Sequence, residues 1–189
     1  MKMSAKYLYG AAIVVALLQT GVLFAGIEKR AQILRNGQDI VVKTSRVDPR
    51  DLLRGDYVIL GYDFSEIPQE DVKGAVENYD GDIYVGVKKG VDGFWHMTRA
   101  SVDAFTDLAD GELQIKGETL YPIWTQLGGN VRVRFGIERY YVPEGEGLEI
   151  EGELDEDNIT AIIAVSKAGV PQIKALQNKG VKIYQEPLY

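Results

Sequence analysis

The sequence contains no cysteine, and His96 is its only histidine among 189 residues. The absence of cysteine excludes disulfide bonds, thiol nucleophiles and cysteine-ligated zinc sites. A Ser-His-Asp triad or a histidine zinc site would therefore depend on His96 alone. That residue lies in the strand-like run 94–98, where a lone histidine more often has a structural role, and we predict such a role for it.

Positive charge is also scarce, because 21 lysines and arginines stand against 28 acidic residues. All of the acidic residues lie from Glu28 onward, whereas only Lys2 and Lys6 among the basic ones come earlier. A domain this acidic repels phosphate backbones, so a nucleic-acid partner is not expected. Purely electrostatic adsorption to anionic lipid is not expected either, for the same reason. The 46% hydrophobic and 26% charged content is typical of a folded domain.

A long uncharged run occupies residues 7–27, and its only clearly polar members are Gln19 and Thr20. As a helix it would span about 31 Å, roughly the thickness of the hydrocarbon layer. A cleaved signal peptide is the alternative, but its apolar region would usually be only about 7–15 residues. The small residue expected two positions before Ala25 is also missing, since Leu23 stands there. We therefore predict an uncleaved transmembrane anchor over residues 1–27.

Basic residues flank both ends of this run, so the positive-inside rule does not decide its orientation. Lys2 and Lys6 lie on one side, and Lys29, Arg30 and Arg35 lie on the other. We expect a single-pass protein of the inner (cell) membrane with its domain on the extracytoplasmic side. The reason is that a short basic head followed by an apolar stretch is typical of an export anchor.

The rest of the chain divides into a juxtamembrane segment, 28–38, and one soluble domain, 39–189. The juxtamembrane segment can continue the helix as far as Gly37. Short β-rich runs separated by Gly, Asp and Pro then predict strands, at residues 39–44, 57–62, 83–88, 94–101, 113–120, 131–142, 159–166 and 181–185. The fold class is therefore mainly β: one N-terminal transmembrane helix followed by a mostly antiparallel β sandwich or partly open barrel, with little other helix.

One stretch of the soluble part resembles the bacterial GDYXXLXY family, whose name describes it. The fixed positions are filled by Gly55, Asp56, Tyr57, Leu60 and Tyr62. Two further blocks, 135–145 and 180–184, are similar to the same family. The resemblance implies a small membrane-anchored protein with no established activity, and it implies a multi-pass membrane protein as the partner. It supplies no catalytic residues to transfer.

A fainter similarity links Arg54, Gly55 and Asp56, with the apolar strand after them, to type I signal peptidases. Those enzymes need a serine nucleophile near the membrane and a lysine base on a later strand. Ser45 and either Lys73 or Lys88 are the available candidates, and none has the right setting. This similarity remains an analogy of fold.

Two sets of charged and aromatic residues form the candidate functional face. Its residues are Asp48, Arg50, Asp51, Arg54, Gly55, Asp56, Tyr57, Tyr62, Glu138, Arg139, Tyr141 and Glu144. The loop 48–56 can present carboxylates and guanidinium groups to a ligand, or it can be an ion-paired turn. The tyrosines can form an aromatic platform for a sugar or peptide, but we expect them to pack with hydrogen-bonded hydroxyls.

Glu138 has two interpretations of its own. It could act with a second carboxylate as acid and base in glycoside hydrolysis, but a buried pair with Arg139 is more economical. No metal or cofactor is predicted, because the acidic segments 80–82, 107–112 and 155–158 lack calcium-loop spacing and are better read as turns.

Two functional hypotheses follow. The favoured one is an accessory or interaction module, not an enzyme, that binds a multi-pass membrane protein. Gln19, Thr20 and Gly21 would then pack against a partner helix in the bilayer. The alternative is an extracytoplasmic hydrolase or ligand-binding domain that uses Asp56, Tyr57 and Glu138.

Overall fold

A computed structural model describes residues 5–46, 57–124, 128–141 and 159–185 of the chain. It begins with one long helix, α1, at Ala5–Asn36. The helix is long and apolar enough to cross a membrane, and its most apolar part has no buried residues. Gly37 ends it, and the Gly37 N–H donates to the carbonyl oxygen of Ile33 at 2.8 Å. The predicted continuation of the helix to Gly37 is confirmed.

The last turns of α1 belong to the folded domain. Ala31, Ile33 and Leu34 are buried, and the helix contacts strands β10 (Ile159–Val165) and β11 (Pro171–Asn178). Strand β1 (Gln38–Arg46) starts directly after Gly37. The helix therefore passes into the domain without a flexible linker.

Nine more strands belong to the described part of the chain, with one short 3-10 turn at Gln69–Asp71. They are β2 (Tyr57–Tyr62), β3 (Glu66–Pro68), β4 (Val72–Lys73), β5 (Asp82–Lys89), β6 (Trp95–Ser101), β7 (Glu112–Thr119), β8 (Asn130–Arg134), β9 (Arg139–Tyr141) and β12 (Val181–Gln185), besides β1, β10 and β11. The predicted hairpin of β5 and β6 is confirmed by their antiparallel register. The strands β3 and β4 are too short to have been predicted from periodicity.

The described strands form two six-stranded sheets. The first has the order β12-β11-β10-β1-β2-β9, and the second has the order β3-β8-β7-β5-β6-β4. Neighbours are antiparallel except for β4 and β6, which pair in parallel. The first sheet curls, because Tyr140 of β9 and Ile173 of β11 line one small pocket although three strands separate them. The prediction of a mainly β, mostly antiparallel fold is confirmed.

One hydrophobic core lies between the sheets. Ile40 and Val42 alternate into it from β1, and Val131 and Val133 do so from β8, with Arg132 exposed between the two valines. This period of two is what a half-buried strand requires.

The prediction of a single strand over 131–142 is wrong. Strand β8 ends at Arg134, the chain turns, and β9 resumes at Arg139 in the other sheet. Gly136 causes the break, because its φ of +77° belongs to the left-handed region that glycine readily adopts. The apolar pattern continues through the turn, since Phe135 and Ile137 are both buried.

Candidate interaction site

Much of the predicted functional face lies outside the described residues. Those positions are Asp48, Arg50, Asp51, Arg54, Gly55, Asp56 and Glu144. Of Tyr57 and Tyr141 only the backbone is described. The alternatives for loop 48–56 therefore stay predictions.

Two stretches that carry the family resemblance are neighbours in the first sheet: the described part of the GDYXXLXY stretch, 57–62, and the described part of block 135–145. Tyr57 in β2 lies opposite Tyr141 in β9, and Ile59 lies opposite Arg139. The Leu60 N–H also donates to the carbonyl oxygen of Glu138 at 2.8 Å. The structure thus places blocks that are far apart in the chain side by side, at one edge of the sheet.

Tyr62 is a structural residue. Its side chain is buried, its ring stacks on Phe64 at 5.3 Å, and its hydroxyl donates to the carbonyl oxygen of Ile137 at 2.6 Å. Burial, and then the negative charge of Glu138, hold the pKa of the Tyr62 hydroxyl well above its usual value. The packing prediction is confirmed for this tyrosine, which cannot serve as an exposed aromatic platform.

Glu138 stabilises the turn between β8 and β9. One carboxylate oxygen accepts from the Phe135 N–H at 2.5 Å, and the other accepts from the Gly136 N–H at 3.0 Å. The side chain is half-buried and Arg139 is exposed, so the prediction of a buried Glu–Arg pair is wrong. Because both oxygens bind the backbone of the turn, an acid or base role for Glu138 is disfavoured.

A shallow groove lies at the second sheet, and none of the predicted face residues is in its lining. Its cavity measures about 270 Å³. We call it the aromatic groove and define it by Gln69, Tyr121, Pro122, Trp124, Asn130 and Arg132. Tyr121 and Trp124 are 62% and 52% exposed, which is unusual for such large aromatic side chains.

A buried neighbour holds these aromatic residues at the surface. Ile123 is almost fully buried, its N–H donates to the carbonyl oxygen of Tyr79, and its own carbonyl accepts from Asn78, each at 2.8 Å. Ile123 is therefore held inward, whereas Tyr121 and Trp124 on either side of it are exposed. Arg132 also lines the groove and forms an ion pair with Glu66, whose Oε1 lies 3.1 Å from the arginine Nε. Sequence reasoning missed this groove, because segment 121–124 has no periodicity that separates it from an ordinary connection.

The sequence profile described as "GDYXXLXY protein" matches residues 19–176. The chain belongs to the GDYXXLXY family. No curated protein and no solved structure matches the chain.

A densely connected polar cluster among the described residues of this GDYXXLXY protein surrounds Glu112. Its carboxylate accepts from the Thr98 hydroxyl at 2.6 Å, from Arg99 Nε and Nη2 at 3.1 and 2.8 Å, and from the Ala109 N–H at 3.0 Å. Gly86 makes room for it, since a Cβ there would lie 2.8 Å from Glu112 Oε1. We call this set the Glu112 network.

The Glu112 network is structural. Burial would raise the pKa of the Glu112 carboxyl, but the hydrogen bonds from Thr98, Arg99 and Ala109 outweigh it and lower the pKa to about 2. A carboxylate with this pKa remains ionised and is a poor proton donor near neutral pH. The network therefore ties β6 and β7 together and offers no general acid.

His96 contacts the loop of its own hairpin. Its Nε2 lies 3.0 Å from both carboxylate oxygens of Asp92, and Lys43 Nζ lies 3.5 Å from Asp92 Oδ2. Lys43 also stands over the Phe94 ring at 4.8 Å. These contacts join the β5–β6 loop to β1 and agree with the predicted structural role. Within the described ranges, no three His, Asp or Glu side chains are grouped closely enough to hold a metal ion.

Proposed function

We propose that this GDYXXLXY protein is a membrane-anchored interaction module that binds a multi-pass membrane protein through its aromatic groove. The observation that carries the proposal is the exposure of Tyr121 and Trp124 in one groove with Arg132. Tryptophan, tyrosine and arginine are the residues that dominate binding energy at protein interfaces. Tyrosine and tryptophan side chains, with only two χ angles each, also lose little conformational entropy when a partner binds.

The helix junction supports a partner in the same membrane. Because Ala31, Ile33 and Leu34 are buried in the domain, the orientation of α1 in the bilayer sets the orientation of the groove outside it. Within the apolar part, a Cβ at Gly21 would meet nothing within 4 Å, and this glycine lines an open notch with Leu18 and Val22. A partner helix can approach closely at such a glycine, which would give one contact in the bilayer and one outside.

The first test concerns the side of the membrane. We expect the domain to face the extracytoplasmic space of the inner membrane, so protease added to intact spheroplasts should digest it. A periplasmic protein and a cytoplasmic protein serve as the two controls. If the domain stays intact while the periplasmic control is cut, the proposed orientation is wrong.

The second test concerns the groove. Full-length Trp124→Ala should recover at least about tenfold less of the membrane partner from mild detergent, because losing an interface tryptophan typically costs 2 kcal/mol or more. Val91→Ala is the matched control, since Val91 is fully exposed but lies outside the groove. Recovered proteins are quantified by mass spectrometry, and both variants are checked for unchanged thermal unfolding.

Equal recovery by Trp124→Ala and the wild type would reject the groove as the binding surface. Replacing residues 7–27 with an unrelated transmembrane segment separates the two contacts. If partner recovery is unchanged after that exchange, the Gly21 notch has no part in binding, and the groove alone holds the partner.

A further inference from the structure

The lining of the aromatic groove indicates which conformation of a partner segment it binds. It combines two exposed aromatic side chains, Tyr121 and Trp124, with the polar side chains of Gln69, Asn130 and Arg132. Three recurring modes suit an unmodified internal segment of a partner: an added β-strand, an amphipathic helix in an apolar groove, and a polyproline II helix on an aromatic-lined groove. Each mode makes different demands on the backbone and the side chains of the groove.

The backbone of the groove is already paired, which disfavours an added strand. Strand β8 has β3 on one side, and on its other side the Leu120 N–H donates to the carbonyl oxygen of Arg132 at 2.8 Å. In segment 121–124 both backbone polar groups of Ile123 are hydrogen-bonded, and Pro122 has no N–H. An added strand needs a row of unpaired N–H and C=O groups, which these residues do not supply.

The groove is also too small and too polar for a helix. Its cavity of about 270 Å³ is below the range of pockets for drug-sized ligands, roughly 300–1,000 Å³. A helix in a groove uses apolar anchors at positions i, i+3 or i+4, and i+7, which extend about 10 Å along its axis. Gln69, Asn130 and Arg132 interrupt the apolar lining, so there is no place for two turns of apolar anchors.

A polyproline II segment matches what the groove offers. Proline rings are rigid and apolar, and in this mode they dock on aromatic side chains such as Tyr121 and Trp124. The polyproline II backbone has no internal hydrogen bonds and proline has no N–H, so its carbonyl groups need donors. The Trp124 indole N–H and the amides of Gln69, which is half-buried, and Asn130, which is exposed, are such donors.

We propose that the aromatic groove binds a proline-rich segment of the membrane partner in the polyproline II conformation. This inference rests on the proposed function. The prolines pack on Tyr121 and Trp124, and the amides of Gln69 and Asn130 donate to the carbonyl groups of the segment. Because polyproline II is preformed, little chain entropy is lost on binding. A proline-rich loop between two transmembrane helices of the partner is therefore the expected ligand.

Tryptophan fluorescence of the full-length protein in detergent tests this directly. The chain has two tryptophans, and Trp95 is buried whereas Trp124 is exposed in the groove. A peptide of about nine prolines, roughly three turns of polyproline II, should shift the emission to the blue and protect it from iodide quenching. A flexible glycine–serine peptide of equal length should do neither. Trp124→Phe should remove the response, whereas a signal from Trp95 would remain.

Two further variants test the groove with the Trp124 reporter in place. Tyr121→Ala should bind the proline peptide at least about tenfold more weakly, as is typical of an interface tyrosine. Asn130→Ala should bind it about two- to tenfold more weakly, because one hydrogen bond is lost. Val91→Ala, which lies outside the groove, should bind like the wild type. All variants are checked for unchanged thermal unfolding.

No response to the proline peptide, an equal response to the glycine–serine peptide, or an unchanged affinity of Tyr121→Ala would overturn the inference. These results differ from a failure of the proposed function. If Trp124→Ala loses the membrane partner while the proline peptide does not bind, the groove is an interface and only the polyproline II mode is wrong. If the peptide binds in the groove but Trp124→Ala recovers the partner fully, the binding mode stands and the proposed partner is wrong.

Discussion

Glu112→Ala should lower the melting temperature of the domain by roughly 5–10 °C. The substitution removes the acceptor for the Thr98 hydroxyl, for two nitrogens of Arg99 and for the Ala109 N–H. Leaving such partly buried donors unsatisfied costs about 2–3 kcal/mol, and in a domain of this size each kcal/mol shifts the melting temperature by roughly 2–4 °C. Near-UV circular dichroism of the full-length protein in detergent measures the change.

Glu118→Ala is the matched control for this experiment. Glu118 also pairs with an arginine, Arg134, at 3.2 Å, but both side chains are more than half exposed. Exposed pairs contribute about 0–1 kcal/mol, so this variant should melt within a few degrees of the wild type. If both substitutions shift the melting temperature equally, the Glu112 network does not have the stabilising role that its geometry indicates.

The same carboxylate gives the stability a defined pH dependence. Its pKa is lowered in the folded state from 4.5 to about 2, so the unfolded chain binds the proton more readily. The stabilisation is therefore complete above about pH 4.5 and is lost as the pH falls from there towards 2. Glu112→Gln should flatten the acid limb of a plot of urea midpoint against pH, and parallel curves for variant and wild type would contradict the assignment.

Gly37→Ala should have the second large effect, a loss of about 3 kcal/mol. A Cβ at this position would lie 2.5 Å from the carbonyl oxygen of Ile33 and 3.1 Å from that of Val165. Both atoms are backbone, so neither can move aside without displacing the end of α1 or the end of β10. Overpacking of this kind typically costs about 1–3 kcal/mol, and we expect the upper end of that range. Chemical unfolding of the full-length protein measures it.

Gly26→Ala is the control, because a Cβ at Gly26 would meet nothing within 4 Å. Alanine also has the higher helix propensity, so this variant should be as stable as the wild type. Limited proteolysis near residue 37 gives a second measurement, since a disturbed junction exposes the chain to cleavage. If Gly37→Ala is indistinguishable from Gly26→Ala, the junction is adaptable and does not fix the orientation of the domain.

Much of the fold could be predicted because its signals are local. The uncharged run and Gly37 give the helix and its end. The alternation of Ile40 and Val42, and of Val131 and Val133, gives strands with the correct buried faces. The one wrong strand shows where such reasoning fails: Phe135 and Ile137 keep the alternating pattern across a turn, because both point into the core from either side of Gly136.

The candidate site was harder to predict, because it depends on contacts between distant parts of the chain. Whether Trp124 is exposed depends on the inward position of Ile123, which the bridge to Tyr79 determines. The small pocket lined by Arg30, Arg139 and Gln172 likewise depends on the curl of the first sheet, which brings β9 close to α1. Glu138 was expected to pair with its neighbour Arg139, and the turn of the chain gave its carboxylate two backbone N–H groups to bind instead.

The pairing of β1 also determines when this domain can fold. Six residues of β1 pair with β10, and the Thr44 hydroxyl donates to the carbonyl oxygen of Ile159 across a sequence separation of 115 residues. Closing so large a loop is slow, because chain entropy must be lost before any contact compensates for it. The strand next to α1 is therefore made early and mostly paired late. Until β10 has been synthesised, residues 38–43 of β1 have no partner strand, although residues 44–46 can already pair with β2. This part of the strand stays open to chaperones or to mispairing with other chains.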